Sequence, residues 1–258
     1  MAKVAPSISI IMPMYNCADT LHQSIASIQS QTRKDWELLL VDDGSTDQTY
    51  SLVLEAVAVD ARLRVFRLPK NAGAANARNH ALEHSTGRYI AFLDADDTWN
   101  PNKLEKQISF MQGQGAGLCF TAYSRVSITG ALIEAVSVPD AVGYNQLLKR
   151  NLLGALTVIY DSQKVGKLPM PDLKRQHDFA LWLQMTRQFG PAIGLNENLA
   201  TYRVSSDSLS GNKLLAAQDI WRLFRNVEKL PLHKALWYFI HYTYYGLRYR
   251  AIQRPKKA

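Results

Sequence analysis

Apolar residues recur along the first hundred positions in two alternating rhythms. Short unbroken runs have the length and the β-branched or aromatic content of buried strands. They are Ser7-Ile-Ser-Ile-Ile-Met-Pro13, Trp36-Glu-Leu-Leu-Leu-Val41, Arg64-Val-Phe-Arg-Leu68 and Tyr89-Ile-Ala-Phe-Leu93. Between them the spacing lengthens to three or four residues, as on one face of a helix: Leu21, Ile25 and Ile28, then Leu52 and Val57, then an alanine-rich stretch opened by Asn71-Ala-Gly73 and running to Leu82. A further helix carries Leu104, Ile108 and Met111 inward. Asp19 or Thr20 is the expected cap of the first helix, Ser45 with Gln48 has capping-box spacing for the second, and Asn100-Pro101 suits an N-cap and first helical position. Strands and helices in strict alternation imply an α/β fold with a mostly parallel, doubly wound sheet.

Beyond residue 113 the rhythm weakens. Leu118-Cys-Phe-Thr121, Leu132-Ile-Glu-Ala-Val136 and Thr157-Val-Ile-Tyr160 read as antiparallel strands, and Leu168-Pro-Met-Pro171 as a rigid extended connection. His177-Asp178 opens a helix whose inner face is Leu181, Trp182 and Met185. With no repeat or low-complexity linker to divide the chain, one catalytic domain is expected over residues 1–211, with halves 1–112 and 113–211, followed by a helical appendage over 212–258.

Composition changes this picture in one respect. Hydrophobic content of 47% and charged content of 20% are those of a globular chain. No run of ~18 uncharged apolar residues is present to span a bilayer. Cys17 and Cys119 are too few for a disulfide framework, so a reduced, cytosolic protein is expected. The net charge of +8 is concentrated at one end. Residues 229–258 hold seven basic side chains and no acid, leaving 23 basic against 22 acidic residues in the rest. A basic tail away from an acidic cleft favours an anionic membrane surface over nucleic acid as partner.

The chemistry gathers where strands end. Phe92-Leu-Asp-Ala-Asp-Asp97 closes a buried strand with three carboxylates, a costly arrangement unless a cation shares it. An Asp-x-Asp pair on extended chain can grip one hard divalent metal, whose other positions go to water and phosphate; a solvated acidic turn is the alternative. Tyr15-Asn16, Asp42-Asp43 and Asn71-Gly73 fall at the same edge, where α/β sheets bind ligands.

Four motifs carry a resemblance: Ser9-Ile-Ile-Met-Pro-Met-Tyr-Asn16, Leu40-Val-Asp-Asp-Gly-Ser-Thr-Asp47, Asn71-Ala-Gly-Ala-Ala-Asn-Ala-Arg-Asn79 and Phe92-Leu-Asp-Ala-Asp-Asp97. Together they resemble the family-2 inverting glycosyltransferases of the GT-A fold, in particular bacterial enzymes that build O-antigen, capsule and related envelope polysaccharides. The likeness extends over roughly residues 6–210. It implies transfer of a sugar from a UDP-sugar or other nucleotide sugar to a hydroxyl of a lipid-linked saccharide. Pro13 and Tyr15, with Asn16 beside them, would flank the base. Asp43, helped by Asp42, would accept from the uracil N–H and ribose. Asn71, Gly73 and Arg78 would face the diphosphate; Asp94 and Ala95 would meet the ribose, and Asp94 and Asp96 would hold Mn²⁺ or Mg²⁺. Asp178 aligns with the family's general base, and His177 replaces the acid that usually precedes it. Tyr202 to Asn212 resembles the family's lid loop.

Within Pro231–Ile252, Leu232, Leu236, Phe239, Ile240 and Leu247 share one helical face, and Tyr238, Tyr242, Tyr245 and Tyr249 form a stripe opposite. Docking of the apolar face on the domain is one expectation. Tyrosines with Lys234, Arg248, Lys256 and Lys257 also suit a bilayer interface, on the inner face of the cytoplasmic membrane, where a polyprenyl-diphosphate or lipopolysaccharide acceptor would lie. His22, His80, His84 and His233 show no ligand spacing and read as structural. Two other functions share parts of this pattern, a sugar nucleotidyltransferase and an inactive nucleotide-sugar-binding scaffold. The first would carry a glycine-rich basic loop after the first strand, where Met14 to Asp19 is neither; the second would not need Asp43, Asp94, Asp96 and Asp178 all present.

Overall fold

A computed structural model describes residues 6–204 and 213–253 of the chain. The predicted alternation holds through the first half as β1 (Ile8–Met14), α1 (Ala18–Gln29), β2 (Trp36–Asp42), α2 (Thr49–Val59), β3 (Leu63–Arg67), α3 (Ala74–His84) and β4 (Tyr89–Phe92). Next along the chain are β5 (Thr98–Trp99), α4 (Lys103–Gln114), β6 (Leu118–Ser127), β7 (Leu132–Val136), β8 (Ala141–Val142), α5 (Tyr144–Leu147), β9 (Ile159–Asp161), α6 (Ser162–Val165), α7 (His177–Phe189) and β10 (Ala192–Val204). Then α8 (Lys213–Arg222) runs into a π-helical turn, Leu223–Val227, before α9 (Leu232–Gln253).

The sheet order is β3-β2-β1-β4-β9-β6-β10-β5, with β7 added to β6 and β8 to β10. β3, β2, β1 and β4 are parallel, and the order reverses at β1, beside which β4 lies. A crevice opens beyond the strand ends at such a reversal. β9 joins the halves by pairing antiparallel with both β4 and β6, and β6 and β7 form the expected antiparallel pair.

Alternation along the strands sorts their side chains into two cores. Ile8, Ile10, Met12 and Met14 face one way, with Leu38 and Leu40, onto Leu21, Ile25, Leu104 and Ile108. Ile11, Leu39 and Val41 face the other way, onto Ala75, Ala77 and Ala81 of α3 and Phe179 and Trp182 of α7. The alanines let α3 lie close on the sheet, which brings Arg78 to the strand ends.

Helix starts depart from the sequence expectation. α1 begins after Cys17, with Asp19 in its first turn and no side-chain cap. α2 begins after Gln48 instead of using Ser45; Asp47 takes the Thr49 N–H at 2.9 Å, while the Ser45 hydroxyl accepts from the Asn16 N–H at 3.0 Å. α4 begins at Lys103, after Asn100 and Pro101 have formed a turn in which the Lys103 N–H reaches the Asn100 carbonyl. At α1 Asp47 of the β2 loop takes the Ala18 N–H, at α2 the same residue takes the place expected of Ser45, and at α4 Asn100 bonds instead to Gln31 and Asn198.

The C-terminal appendage docks chiefly through Tyr238 and Tyr242 of the tyrosine stripe, joined by Phe239 alone among the described residues of the face expected to dock. Ala235, Tyr238, Phe239 and Tyr242 pack on the domain, Tyr242 with its ring 5.9 Å from that of Phe179. Leu232, Leu236, Trp237, Ile240 and Tyr244 are left exposed. The reason is polar as well as apolar: the Tyr238 hydroxyl finds Asn145, whereas a leucine face offers no such partner. Buried Glu228 anchors the junction by accepting from Tyr144 and Arg187, each at 2.6 Å. Leu247 and Tyr249 have no described side chains, and Lys256 and Lys257 lie outside the described residues.

A lysine lies inside the core without a carboxylate partner among the ion pairs of the described residues. Lys103 is fully buried, its ammonium donating to Gln107 and lying 4.8 Å from the centre of the Trp99 ring. Burial pushes its pKa down from 10.5 to about 7. The folded state thus disfavours the charged form, and its cost is complete below pH 7 and relieved as pH rises from about 7 to 10.5. Lys103→Met should raise Tm below pH 7, with a gain that shrinks towards pH 10.5; a Tm lowered most below pH 7 and least near pH 10.5 would show the ammonium to be stabilising.

Candidate functional site

The acidic strand end is a tight turn, not extended chain: the Asp97 N–H closes on the Asp94 carbonyl at 3.1 Å. β5 anchors the chain beyond this turn by pairing with Ala200 and Thr201 of β10, and the Trp99 indole donates to the Leu156 carbonyl at 2.8 Å. Asp94 and Asp96 are half-buried, and Asp97 is buried, accepting from the Arg203 N–H at 2.9 Å. Ala95 is buried in the core, so only its backbone can meet a ligand.

These carboxylates strain one another. Burial first, then Asp94, raises the pKa of Asp96. Burial, Asp96 and Asp94 raise that of Asp97 well above the usual range. The Tyr202 hydroxyl is pushed up to about 12 by burial and then by the same acids. A compact, oxygen-only set of acids that resist ionising together is what a hard divalent cation relieves, so the residues fit Mn²⁺ or Mg²⁺.

Arg78 supplies the positive charge already present. It is buried on α3, and its guanidinium donates to Asp94 through one terminal nitrogen and to His177 Nε2 through the other. Its Nε is buried without a hydrogen-bond partner. Burial works against its charge, but Asp94, Asp178 and Asp97 hold its pKa above the ordinary arginine value. Because Arg78 only donates, His177 must accept at Nε2 and carry its proton on Nδ1, 3.3 Å from the Leu173 carbonyl. Burial and the Arg78 charge lower the His177 pKa, so the ring is neutral at pH 7. Asp178 follows in the first turn of α7 and is half-buried. One guanidinium thus links the β4 acids to the start of α7.

The other predicted residues build the rim. Each Asp43 oxygen accepts one backbone N–H, from Ala72 at 2.7 Å and from Gly73 at 2.8 Å, which sets the turn into α3. Gly44 must be glycine: its φ is +73°, and a Cβ would lie 2.9 Å from the Asn71 nitrogen. Asp42 is buried, accepts from the Ser45 N–H at 3.2 Å and pairs with Arg67 at 3.1 Å, so it supports the loop from below. The Asn16 side-chain oxygen takes the Thr46 N–H at 2.9 Å, tying the β1 and β2 loops together. Pro13 is half-buried in β1, the Tyr15 ring is 48% exposed, and Asn71 is exposed.

Sequence reasoning missed three contributions. Arg203 holds Asp97 through its backbone from the end of β10, and it was legible only as part of a lid. Of that lid, Tyr202, Arg203 and Val204 lie in β10, and residues 205–212 lie outside the described residues. Asn79 braces the connection to α7, exchanging two hydrogen bonds with the Met170 backbone at 2.8 Å. Tyr242 of α9 is near enough to Asp178 for that charge, after burial, to raise its pKa.

The profile of "Glycosyl transferase family 2" matches residues 9–167. A Bacillus subtilis protein named for teichuronic acid biosynthesis, the glycosyltransferase TuaG, is 39% identical over 239 residues, 92% of this chain and 95% of that one. The Escherichia coli UDP-Glc:alpha-D-GlcNAc-diphosphoundecaprenol beta-1,3-glucosyltransferase WfgD is 35% identical over 95% of each chain. Among solved structures, S. aureus TarS 1–349 in complex with UDP superposes with a TM-score of 0.68 at 21% identity, over 92% of this chain and 70% of that one. At that identity the likeness speaks for the fold, and the fold is GT-A.

The crowding of acids makes a prediction about stability. Asp97→Asn keeps an acceptor for the Arg203 N–H and removes a buried charge. A carboxyl whose folded pKa is raised loses stability as pH climbs above its unfolded value near 3.8. In metal-free protein at pH 7 the variant should melt higher, each 1 kcal/mol regained being worth about 2–4 °C. A lower Tm would mean that the Asp97 charge is already neutralised within the fold.

Proposed function

The chain belongs to glycosyl transferase family 2, and from that premise we propose that it moves a sugar from a UDP-linked donor to a hydroxyl of a polyprenyl-diphosphate-linked saccharide, with inversion. The observation that carries this reading is the Arg78 bridge, which joins the donor-side Asp94 to the acceptor-side start of α7.

Asp178 is the general base. It takes the proton of the acceptor hydroxyl as that oxygen attacks the anomeric carbon, and the bond to the nucleoside diphosphate breaks on the opposite face. Asp96 and Asp94 are the residues that would hold Mn²⁺ or Mg²⁺, which when bound neutralises the departing diphosphate. Arg78 and the backbone N–H groups at the start of α3, reached past Asn71 and Gly73, add positive potential on the same side. Tyr15 offers its exposed ring to the base, next to Pro13. Asp43 keeps a second lone pair on each oxygen for the uracil N–H and a ribose hydroxyl while its first pairs shape the loop. His177 positions Arg78 and touches no reacting atom.

The acceptor class rests on the relatives. WfgD and WfaP are both named for glucosyl transfer to alpha-D-GlcNAc-diphosphoundecaprenol, and WfaP is 36% identical over 80% of each chain. No described helix is long and apolar enough to cross a membrane. We place the protein in the cytoplasm, peripheral on the inner membrane face, with the exposed stripe Leu232, Leu236, Trp237, Ile240 and Tyr244 of α9 against the lipid. The seven basic residues from Lys229 onward suit an anionic headgroup layer.

Two experiments test this. Purified protein screened against UDP-glucose, UDP-galactose, UDP-GlcNAc, UDP-GalNAc and GDP-mannose, with Mn²⁺ or EDTA, should release nucleotide from one UDP-sugar only when metal is present. Asp96→Ala should abolish release, and Asp178→Asn should slow transfer about 10²–10⁴-fold. His177→Gln, which can still accept from Arg78, should keep more activity than His177→Leu; equal losses would remove the positioning role. No release and no melting shift with any donor would sink the transferase reading. Separately, the protein should float with vesicles containing phosphatidylglycerol and not with phosphatidylcholine alone. Trp237→Ser with Ile240→Ser should abolish flotation while donor hydrolysis persists, and flotation unchanged in that variant would remove α9 from the membrane.

A further inference from the structure

α3 starts at the acidic site, and its last turn carries a second set of metal-ligating groups. His80, Glu83 and His84 lie at i, i+3 and i+4, hence on one helical face. Their ligand atoms all fall within 4.8 Å of one another. This overturns the expectation that His80 and His84 lack ligand spacing: four residues is one helical turn, and it brings the two imidazoles together.

The rings are arranged as ligands. His84 Nδ1 lies 2.8 Å from the His80 carbonyl oxygen. A carbonyl can only accept, so Nδ1 carries the proton and Nε2 keeps its lone pair. Metal-bound histidines commonly have this arrangement, with the second nitrogen donating to a carbonyl or carboxylate. Phe66 of β3 forms an apolar floor beneath both imidazoles, its ring centre 5.1 Å from that of His80 and 4.6 Å from that of His84. The two imidazole centres are 4.6 Å apart. Two cations lie near: Arg64 donates to the His84 carbonyl at 3.0 Å, its charge met by Glu37 at 2.8 Å, and Lys167 donates to the Ser85 carbonyl at 2.5 Å. The negative end of the α3 dipole also favours a cation at this turn.

We propose that His80, Glu83 and His84 form a three-ligand site for Zn²⁺ or a similar imidazole-preferring divalent transition metal, separate from the acidic donor site. Two imidazoles and one carboxylate select such metals, whereas the oxygen-only site at Asp94 and Asp96 selects Mn²⁺ or Mg²⁺. Zinc–nitrogen bonds of about 2.0–2.1 Å require tetrahedral ligand atoms roughly 3.3 Å apart. Rotation of the exposed Glu83 side chain and a small tilt of the rings cover the difference. A fourth position stays open to water.

The test is calorimetric titration of the full-length chain with ZnCl₂, repeated with CoCl₂ for its visible absorption. One equivalent should bind with imidazole-ligated Co²⁺ bands, and binding should persist in Asp96→Ala, which disables the donor site. His84→Gln and His80→Gln should each weaken it at least about tenfold and remove the bands. Equal Tm for wild type and both variants in EDTA would confirm that they fold, and Glu83→Gln gives a milder variant should either fail. Absence of zinc binding, or binding that survives both histidine variants and disappears in Asp96→Ala, would overturn the site. Neither result bears on the transferase reading, which is scored by nucleotide release.

Discussion

The buried guanidinium of Arg78 is the interaction on which the rest of the site depends. Asp94, Asp96, Asp97 and Asp178 bring four carboxylates to one crevice, and Asp96 and Asp97 already have raised pKa values. Burying such acids together is costly without a compensating positive charge. Arg78 donates to Asp94 from one terminal nitrogen while the other holds His177. One buried cation does not balance four acids, and that shortfall is the electrostatic reason for proposing a divalent ion there.

Placing that guanidinium takes a chain of close backbone contacts. Gly44 lets the β2 loop press on Asn71, and Asp43 then holds the Ala72 and Gly73 N–H groups. Gly73, at φ +92°, turns the chain into α3, and Ala75, Ala77 and Ala81 seat the helix on the sheet. Asp43 therefore shapes the loop with one lone pair on each oxygen, and the remaining pairs are those proposed to meet a nucleotide. A substitution there is expected to disturb Arg78 as well as any base contact, so loss of activity alone does not separate the two roles.

The parallel half was legible because its signals are local. Strand runs, helical spacing and strand-end carboxylates each lie within a few consecutive residues, and the order of elements followed from them. What the sequence concealed depends on distant partners. Helix starts moved because Asn16 and Ser45 bond between loops, while Asp47 accepts from both Thr49 at the start of α2 and Ala18 at the start of α1. The acids at β4 form a turn because β5 must reach β10, about a hundred residues later. α9 docks by its tyrosines because Asn145 and Phe179 wait on the domain to receive them. In the site, Asp94, Asp96 and Arg78 could be named from their motifs, whereas the Arg78–His177 contact joins residues 99 apart and leaves no pattern in either segment.

That contact also gives His177 a structural role at the position where the family resemblance implies an acid. An acid at position 177 would add a fifth carboxylate and draw Arg78 away from Asp94. Neutral His177 accepts the same hydrogen bond without competing for the charge, so more of the Arg78 field reaches Asp94 and Asp178. Its lone pair is available only while the ring stays unprotonated, and burial, then the proximity of Arg78, lowers its pKa in the direction that keeps it so. The substitution is self-consistent: the cation that needs the acceptor also maintains it. A lysine in place of Arg78 would present its charge as a point, without the two-pronged geometry that reaches Asp94 and His177 together. The pairing of arginine with histidine here is thus a geometric requirement as much as an electrostatic one.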